Sequence, residues 1–410
     1  MQTKKLVAGM LKKITIYFTI FTTLLIVACG KSGGWLAQAE QTPLIFTEPP
    51  QKIALLLPLS GPLKASGQAI RNGFLAAYYY DKQQNNKTLT ISILNTTRQD
   101  IQNVYQQAVT AGAQVIVGPL TKDDVQALVN MGKLPVPTIA LNTLPNYEQN
   151  NTDNLFQFGL SPLDEASQLA TKIENAKLHR IILISPQGEW GQNIANAFTQ
   201  QWQQLGGTLV GNFTYPIGND EDLSIPIRNL LDVNQSEKRA HHLERILYEK
   251  FRFVPRRRQD VDGIVLIALP AQARLIRPLL RYYYAGNVPV YSISLLFTPV
   301  HSTQNEDLDS IIFCAMPWIL LKPESLPSNL FVIRQHIASL WPQSLRRHPE
   351  LYALGIDAYH LIDQLNQLSQ SPQVGFSGAT GTLFLTPNGH IFRQLLWAKM
   401  INGNPVLLNP

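Results

Sequence analysis

From position 52 onward, uninterrupted apolar runs alternate with amphipathic stretches, and short turns rich in glycine and proline separate them. The first run, Ile53-Ala54-Leu55-Leu56-Leu57, has no polar interruption and predicts a strand covered on both faces, as in a parallel sheet. The turn Pro58-Leu59-Ser60-Gly61-Pro62 follows it. Ala69, Ile70, Gly73, Phe74, Ala76 and Ala77 then recur at helical spacing and predict a helix over 67–80. The alternation continues with a strand over 88–94, a helix over 101–111, a strand over 115–117, a helix over 122–130 and a strand over 138–141.

The same grammar restarts downstream. Helices are predicted over 164–175, 193–204 and 271–284, and strands over 180–184, 208–215, 263–268 and 288–293. Strands alternating with helices across short turns imply right-handed βαβ units and parallel sheets. Two such series give an α/β fold of two lobes, each a parallel sheet flanked by helices. A cleft is expected outside the carboxyl ends of the strands. Residues 237–260 depart from the pattern. They carry eight Lys/Arg, with Arg256-Arg257-Arg258 adjacent, and Leu243, Ile246 and Leu247 at helical spacing. An exposed amphipathic helix and a basic loop are expected there, either as a solvated face or as a docking patch for an acidic partner, phospholipid head groups or an anionic polymer.

The first 28 residues have a different pattern. Lys4, Lys5, Lys12 and Lys13 precede an apolar stretch from Ile14 to Val27, and no acidic residue occurs among them. That stretch has the length of a signal-peptide core and falls short of the ~20 residues of a membrane span. It ends Leu25-Ile26-Val27-Ala28-Cys29-Gly30, which resembles a bacterial lipobox, so cleavage before a lipidated Cys29 is expected. Gly30 and Lys31, with no Asp after the cysteine, favour the outer membrane. Residues 29–50 are rich in Gly, Gln and Pro and are expected to form a flexible tether of at most ~70 Å when fully extended.

Charge changes the picture little. The chain has 34 Lys and Arg against 28 Asp and Glu, and four of its lysines fall in the leader. The remaining body is near neutral, which argues against nucleic acid as a partner. About 380 residues are too many for a single core and agree with two lobes. With Cys29 lipidated, Cys314 is left alone in the apolar run Ile311-Ile312-Phe313-Cys314-Ala315, which suits a buried small hydrophobe and allows no internal disulfide.

No catalytic or metal-binding constellation is found. HExxH and GxSxG are absent, His241-His242 have no evident third ligand, and Ser377 sits among glycines that mark a turn. No cofactor is expected. The strand-end turns are the candidate cleft. Ser60, Gly61, Gly118, Asn142 and Thr143 follow strands of the first series, and Ser185, Glu189 and Trp190 occupy the corresponding place in the second. Their amides, hydroxyls and one aromatic ring suit a small polar ligand, although such residues are also ordinary turn and cap formers. Asp357 and Glu189 are the candidates for pairing with a charged ligand group.

Several motifs, in order, resemble the C-terminal domain of the LppC/LpoA lipoproteins. They are Ile53 to Gly61, Val117-Gly118-Pro119-Leu120, Ala140-Leu141-Asn142, Phe158 to Ala166, Ala195-Asn196-Ala197-Phe198 leading to Trp202 and Gly206-Gly207, Arg257 to Asp262, Tyr352 to Ala358, and Gly378 to Leu383 with Pro387 and Gly389. The likeness runs over about residues 52–405. It implies a type I periplasmic binding-protein-like fold with three crossings between lobes, the first lobe at about 51–163 and 346–385 and the second at about 164–345 and 386–410. It also implies an outer-membrane protein that contacts and activates a bifunctional penicillin-binding protein, with no catalysis of its own. Longer members of the family carry a helical-repeat domain of TPR type ahead of this fold, whereas residues 29–50 show no helix-pair repeat. A lipid-anchored solute-binding or sensing protein is the alternative expectation.

Overall fold

The computed structural model describes residues 44–145, 152–218, 222–299 and 303–408. Cys29, the leader and most of the expected tether lie outside the described residues. The first series comprises β1 (Lys52–Leu57), α1 (Lys64–Asn85), β2 (Thr90–Asn95), α2 (Ile101–Thr110), β3 (Val115–Val117), α3 (Lys122–Val129), β4 (Lys133–Ala140) and β5 (Asp153–Gln157). The second comprises α4 (Pro162–Asn175), β6 (Arg180–Pro186), α5 (Glu189–Gln204), β7 (Thr208–Tyr215), α6 (Ser224–Leu230), α7 (Val233–Leu247), β8 (Gly263–Leu266), α8 (Pro270–Leu280), β9 (Val290–Ser292) and β10 (Ile311–Ala315). Helices α9 (Pro317–Leu320), α10 (Ser328–Leu340), α11 (Pro342–Arg347) and α12 (Pro349–Gln370) follow. Five strands end the described chain: β11 (Phe376–Ser377), β12 (Thr382–Leu385), β13 (Ile391–Gln394), β14 (Leu396–Ile401) and β15 (Asn404–Leu407).

Two larger sheets result. One has the order β2-β1-β3-β4-β5 and is parallel throughout. The other runs β7-β6-β8-β9-β10 in parallel and then adds β14 and β15 antiparallel. In both, the first strand of the series has its successor on one side and its third strand on the other, so the order reverses beside β1 and beside β6. The apolar runs are continuous because alternate residues feed opposite faces. Ile53, Leu55 and Leu57 enter one buried cluster and Ala54 and Leu56 another. Ile181 and Leu183 join that first cluster too, while Ile182 and Ile184 point into a third. One of the three clusters thus runs through both lobes, and each lobe has a second cluster of its own.

Each series opens on the same strand–turn–helix device. A Cβ added to Gly67 would lie 2.1 Å from the carbonyl oxygen of Pro58, and one added to Gly191 would lie 2.2 Å from that of Pro186. The first turn of each helix can seat directly on the end of its strand only because glycine stands there. Three other helix starts are capped by side chains. Asp100 accepts from the Gln102 N–H at 3.0 Å, Thr121 from Asp124 at 3.2 Å and Ser161 from Asp164 at 3.3 Å.

The departures from expectation have local causes. β4 starts five residues earlier than the pattern suggests, because Pro135 and Pro137 hide a strand whose register shifts between Lys133 and Thr138. The helix expected over 271–284 ends at Leu280 and passes into a π turn, Arg281–Ala285, in which Tyr284 has φ 65°. β5 and the strands beyond residue 375 escape the pattern because polar or half-buried positions interrupt their apolar runs.

Candidate functional site

The expected cleft residues are best judged by where their polar groups go. Ser60 and Gly61 lie exposed on the loop after β1, clasped by the end of β2. Asn95 Nδ2 donates to Ser60 Oγ at 3.0 Å, and Thr97 Oγ1 donates to the Ser60 carbonyl at 3.0 Å. Gly118 is buried, and its N–H donates to the Ile139 carbonyl at 2.8 Å. Asn142 joins two strand-end loops: its Nδ2 donates to the Leu120 carbonyl at 2.8 Å, and its Oδ1 accepts from the Thr143 N–H at 2.9 Å. Thr143 is buried, with no partner for Oγ1 among the described residues. The Gly118 N–H and one N–H of the Asn142 amide are therefore consumed by the sheet and the loops and not offered to a ligand as expected.

In the second lobe Ser185 is 1% exposed and its Oγ likewise has no hydrogen-bond partner among the described residues. Glu189 and Trp190 open α5 at the surface, Trp190 with 41% of its area exposed. Asp357 is the clearest correction. It is fully buried within α12, where Oδ1 accepts from the Ala379 N–H at 2.7 Å. Its Oδ2 accepts from the Thr380 N–H at 2.7 Å and from Thr380 Oγ1 at 2.6 Å. Burial pushes this carboxyl up, and the bonds from Thr380 and Ala379 pull it back. Asp357 holds the loop 378–381 to α12 and cannot pair with a solute.

The arginine triplet also divides. Arg258 makes a two-pronged bond to Asp260, at 2.7 and 2.6 Å, and is held inside its own loop. Arg257 Nη1 donates to the Arg258 carbonyl at 2.6 Å. Arg256 is exposed, its N–H bonded to Ser236 Oγ at 3.1 Å. Beside it, α7 is helical and exposed as expected, but the residues whose spacing marked it do not form its packed face. Val233, Ser236 and Ala240 pack on the body, whereas Leu243, Ile246 and Leu247 stand 48%, 57% and 59% exposed. Lys238, Arg239 and His242 line a shallow depression with Leu243.

Sequence reasoning missed the most concentrated polar chemistry, which lies where the chain crosses between the sheets. At the start of α4, Asp164 Oδ2 lies 3.0 Å from His390 Nε2, and Glu165 Oε1 lies 3.5 Å from Arg393 Nη2. All four side chains are buried. Glu165 Oε2 also accepts from the Ser294 N–H at 3.0 Å, and Gln168 exchanges bonds with the Arg393 carbonyl at 2.8 Å and the Leu395 N–H at 3.1 Å. Burial raises the Glu165 carboxyl, opposed chiefly by the Arg393 charge. Burial, with the nearby Glu165 carboxylate, raises the Cys314 thiol well above its ordinary range, so Cys314 is an inert apolar filler. One signal for this network was available. Glu165 shares the helical phase of Leu169 and Ile173, and Arg393 the strand phase of Ile391 and Leu395, so charge stands in both inward stripes.

Among the described residues no group of three or more His, Cys, Asp or Glu could hold a metal ion.

Residues 41–403 match the family model described as "LppC putative lipoprotein". The chain belongs to the LppC family. It is 28% identical over 359 residues to the penicillin-binding protein activator LpoA of Vibrio antiquarius (strain Ex25), a match covering 85% of this chain and 57% of that one. The chain thus spans somewhat more than half the length of that relative. In structure it is similar to the C-domain of LpoA (YraM) from Haemophilus influenzae, a regulator of PBP1A. There the TM-score is 0.66 at 26% identity, over 87% of this chain and 100% of the other. The leucine binding protein LivK of Thermotoga maritima shares the fold alone, at TM-score 0.50 and 16% identity over 87% of this chain. This LppC chain accordingly has a periplasmic binding-protein-like α/β fold, and its LpoA relatives are named for regulating another protein.

Proposed function

We propose that this LppC chain is a lipid-anchored, non-catalytic regulator that binds a bifunctional penicillin-binding protein and raises its peptidoglycan synthesis. The observation that carries this reading is the match to the whole C-domain of a PBP1A regulator. The strand-end geometry supports it, because solute capture needs several convergent free polar groups. Here the Gly118 N–H, one Asn142 N–H and the Asp357 carboxyl are committed internally, and of the expected cleft residues Thr143 and Ser185 keep hydroxyls without a partner among the described residues. The outer surface is then the working part. Its strongest candidate is the projecting end of α7 with Arg256, where exposed leucines and cations suit an acidic, partly apolar partner face.

Binding of the purified protein to a bifunctional synthase tests the reading directly, with transpeptidase stimulation as the second readout. Replacing Lys238, Arg239 and Arg256 with Gln should weaken binding and flatten its salt dependence, since exposed charges are screened over about 8–10 Å. Fold stability should change by less than ~0.5 kcal/mol. Unaltered affinity across salt concentrations would remove this surface from the interface. Absence of any synthase binding, with a clear thermal shift from one small solute, would favour solute capture instead.

The anchor is proposed to be a diacylated Cys29 in the outer membrane, with Gly30 and Lys31 after it. No helix among the described residues is long and apolar enough to cross a membrane. Metabolic labelling with a fatty acid should mark the wild type and leave Cys29→Ser unmarked. Equal labelling of both would refute the lipid assignment.

A further inference from the structure

A cavity of about 160 Å³ lies in the second lobe, between α5 and the edge strand β7. The register pairs Leu183 with Asn212 and Ser185 with Thr214, so residues two apart on β6 and β7 line the same face of the sheet. Gln192, Asn196 and Thr199 of α5 form the opposite wall. None of the eleven lining side chains is ionisable. Ser185, 1% exposed, forms part of the wall and has no partner for its hydroxyl among the described residues.

These features select a ligand chemistry. A phosphate or carboxylate would be met by arginine or lysine, and an ammonium by a carboxylate, and this wall has neither. Carboxamides and hydroxyls each donate and accept, and so match groups that do both. The clearest such ligand is a neutral sugar, whose hydroxyls and acetamido groups present donors and acceptors side by side. A buried hydroxyl with no partner is costly, and a ligand hydroxyl at Ser185 would recover that cost. Size narrows the class further. Sites for whole drug-sized ligands occupy roughly 300–1,000 Å³. This cavity holds one ring, and its open side leaves room for the chain to continue.

We propose that the groove between α5 and β7 binds one ring of a neutral glycan chain. The proposal rests on the cavity and not on the synthase contact, so either can fail without the other. Saturation-transfer NMR on the full chain tests it, with N-acetylglucosamine trimer and cellotriose as neutral probes and galacturonic acid trimer as the anionic one. Transfer is expected from at least one neutral trimer and not from the acid. Asn212 and Thr214 are exposed, so Asn212→Leu and Thr214→Val should leave the fold intact. Each should weaken binding about tenfold, the equivalent of losing one or two hydrogen bonds. Ser185→Ala should weaken it about fivefold. No transfer from either neutral trimer would overturn the proposal. So would equal transfer from the acid, or transfer indifferent to both edge-strand variants.

Discussion

Valine at position 355 should destabilise the first lobe by ~3 kcal/mol or more, at the upper end of what overpacking costs. Helices α1 and α12 cross with their backbones nearly touching. A Cβ added to Gly355 would lie 2.1 Å from the Ile70 carbonyl oxygen and 2.9 Å from the Phe74 nitrogen. One added to Gly73 would lie 2.3 Å from the Tyr352 carbonyl oxygen. The atoms struck are backbone, so no side-chain rotation can relieve the clash, and the helices must move apart. That movement would also loosen the edge-on contact of Phe74 with Tyr359, whose ring centroids are 5.3 Å apart. The expected signs are a lowered urea midpoint and faster amide exchange throughout α1 and α12. Gly218→Ala is the control, because no described residue lies within 4 Å of its added carbon, and it should shift stability by less than ~0.5 kcal/mol. Equal effects from the two substitutions would show that the close crossing does not limit stability.

Both glycines are visible in the sequence, yet only one of their roles is. Gly73 falls in the apolar phase of its helix, which marks a buried position. That it meets a second helix nearly 280 residues later in the chain depends on the topology, which no local pattern encodes. Two first-lobe strands were legible for the opposite reason. Burial on both faces turns β1 and β3 into unbroken apolar runs, and Val115–Val117 needs no wider context. The candidate site was less legible. Ser, Gly and Asn at strand ends satisfy the requirements of a ligand cleft and of a well-made turn equally well. Only the partners of Asn142 and Gly118 show that here the turn claims them. Asp357 illustrates the same ambiguity. Isolated in an apolar helix, it is as consistent with a ligand as with a lock on the loop 378–381, and three bonds shorter than 2.8 Å decide for the lock.

The crossover network yields the sharpest pH test. Glu165 is a buried carboxyl whose upward shift is opposed chiefly by the Arg393 charge, with Ser294 as a further donor. Arg393→Met removes the cation and leaves the carboxylate in an apolar setting, a change that costs ~3–5 kcal/mol when one partner of a buried pair is lost. The carboxyl of Glu165 is already raised by burial, and losing Arg393 raises it further. A group raised in the folded state binds its proton more tightly there than in the unfolded chain. Its favourable contribution is complete below the unfolded value, about 4.3, and is lost as pH rises through the folded value. The variant should therefore lie nearest the wild type in mildly acid solution and fall away from it toward neutral pH. Each further unit of upward shift adds ~1.4 kcal/mol to the gap. Urea midpoints at pH 5 and pH 7.5 measure that gap directly. Glu165→Gln introduced into Arg393→Met should recover much of the loss at pH 7.5 and little at pH 5, because glutamine has no charge to bury. A gap that stays constant with pH, or a double variant no better than the single one, would mean that Arg393 stabilises the crossing by packing and not by charge.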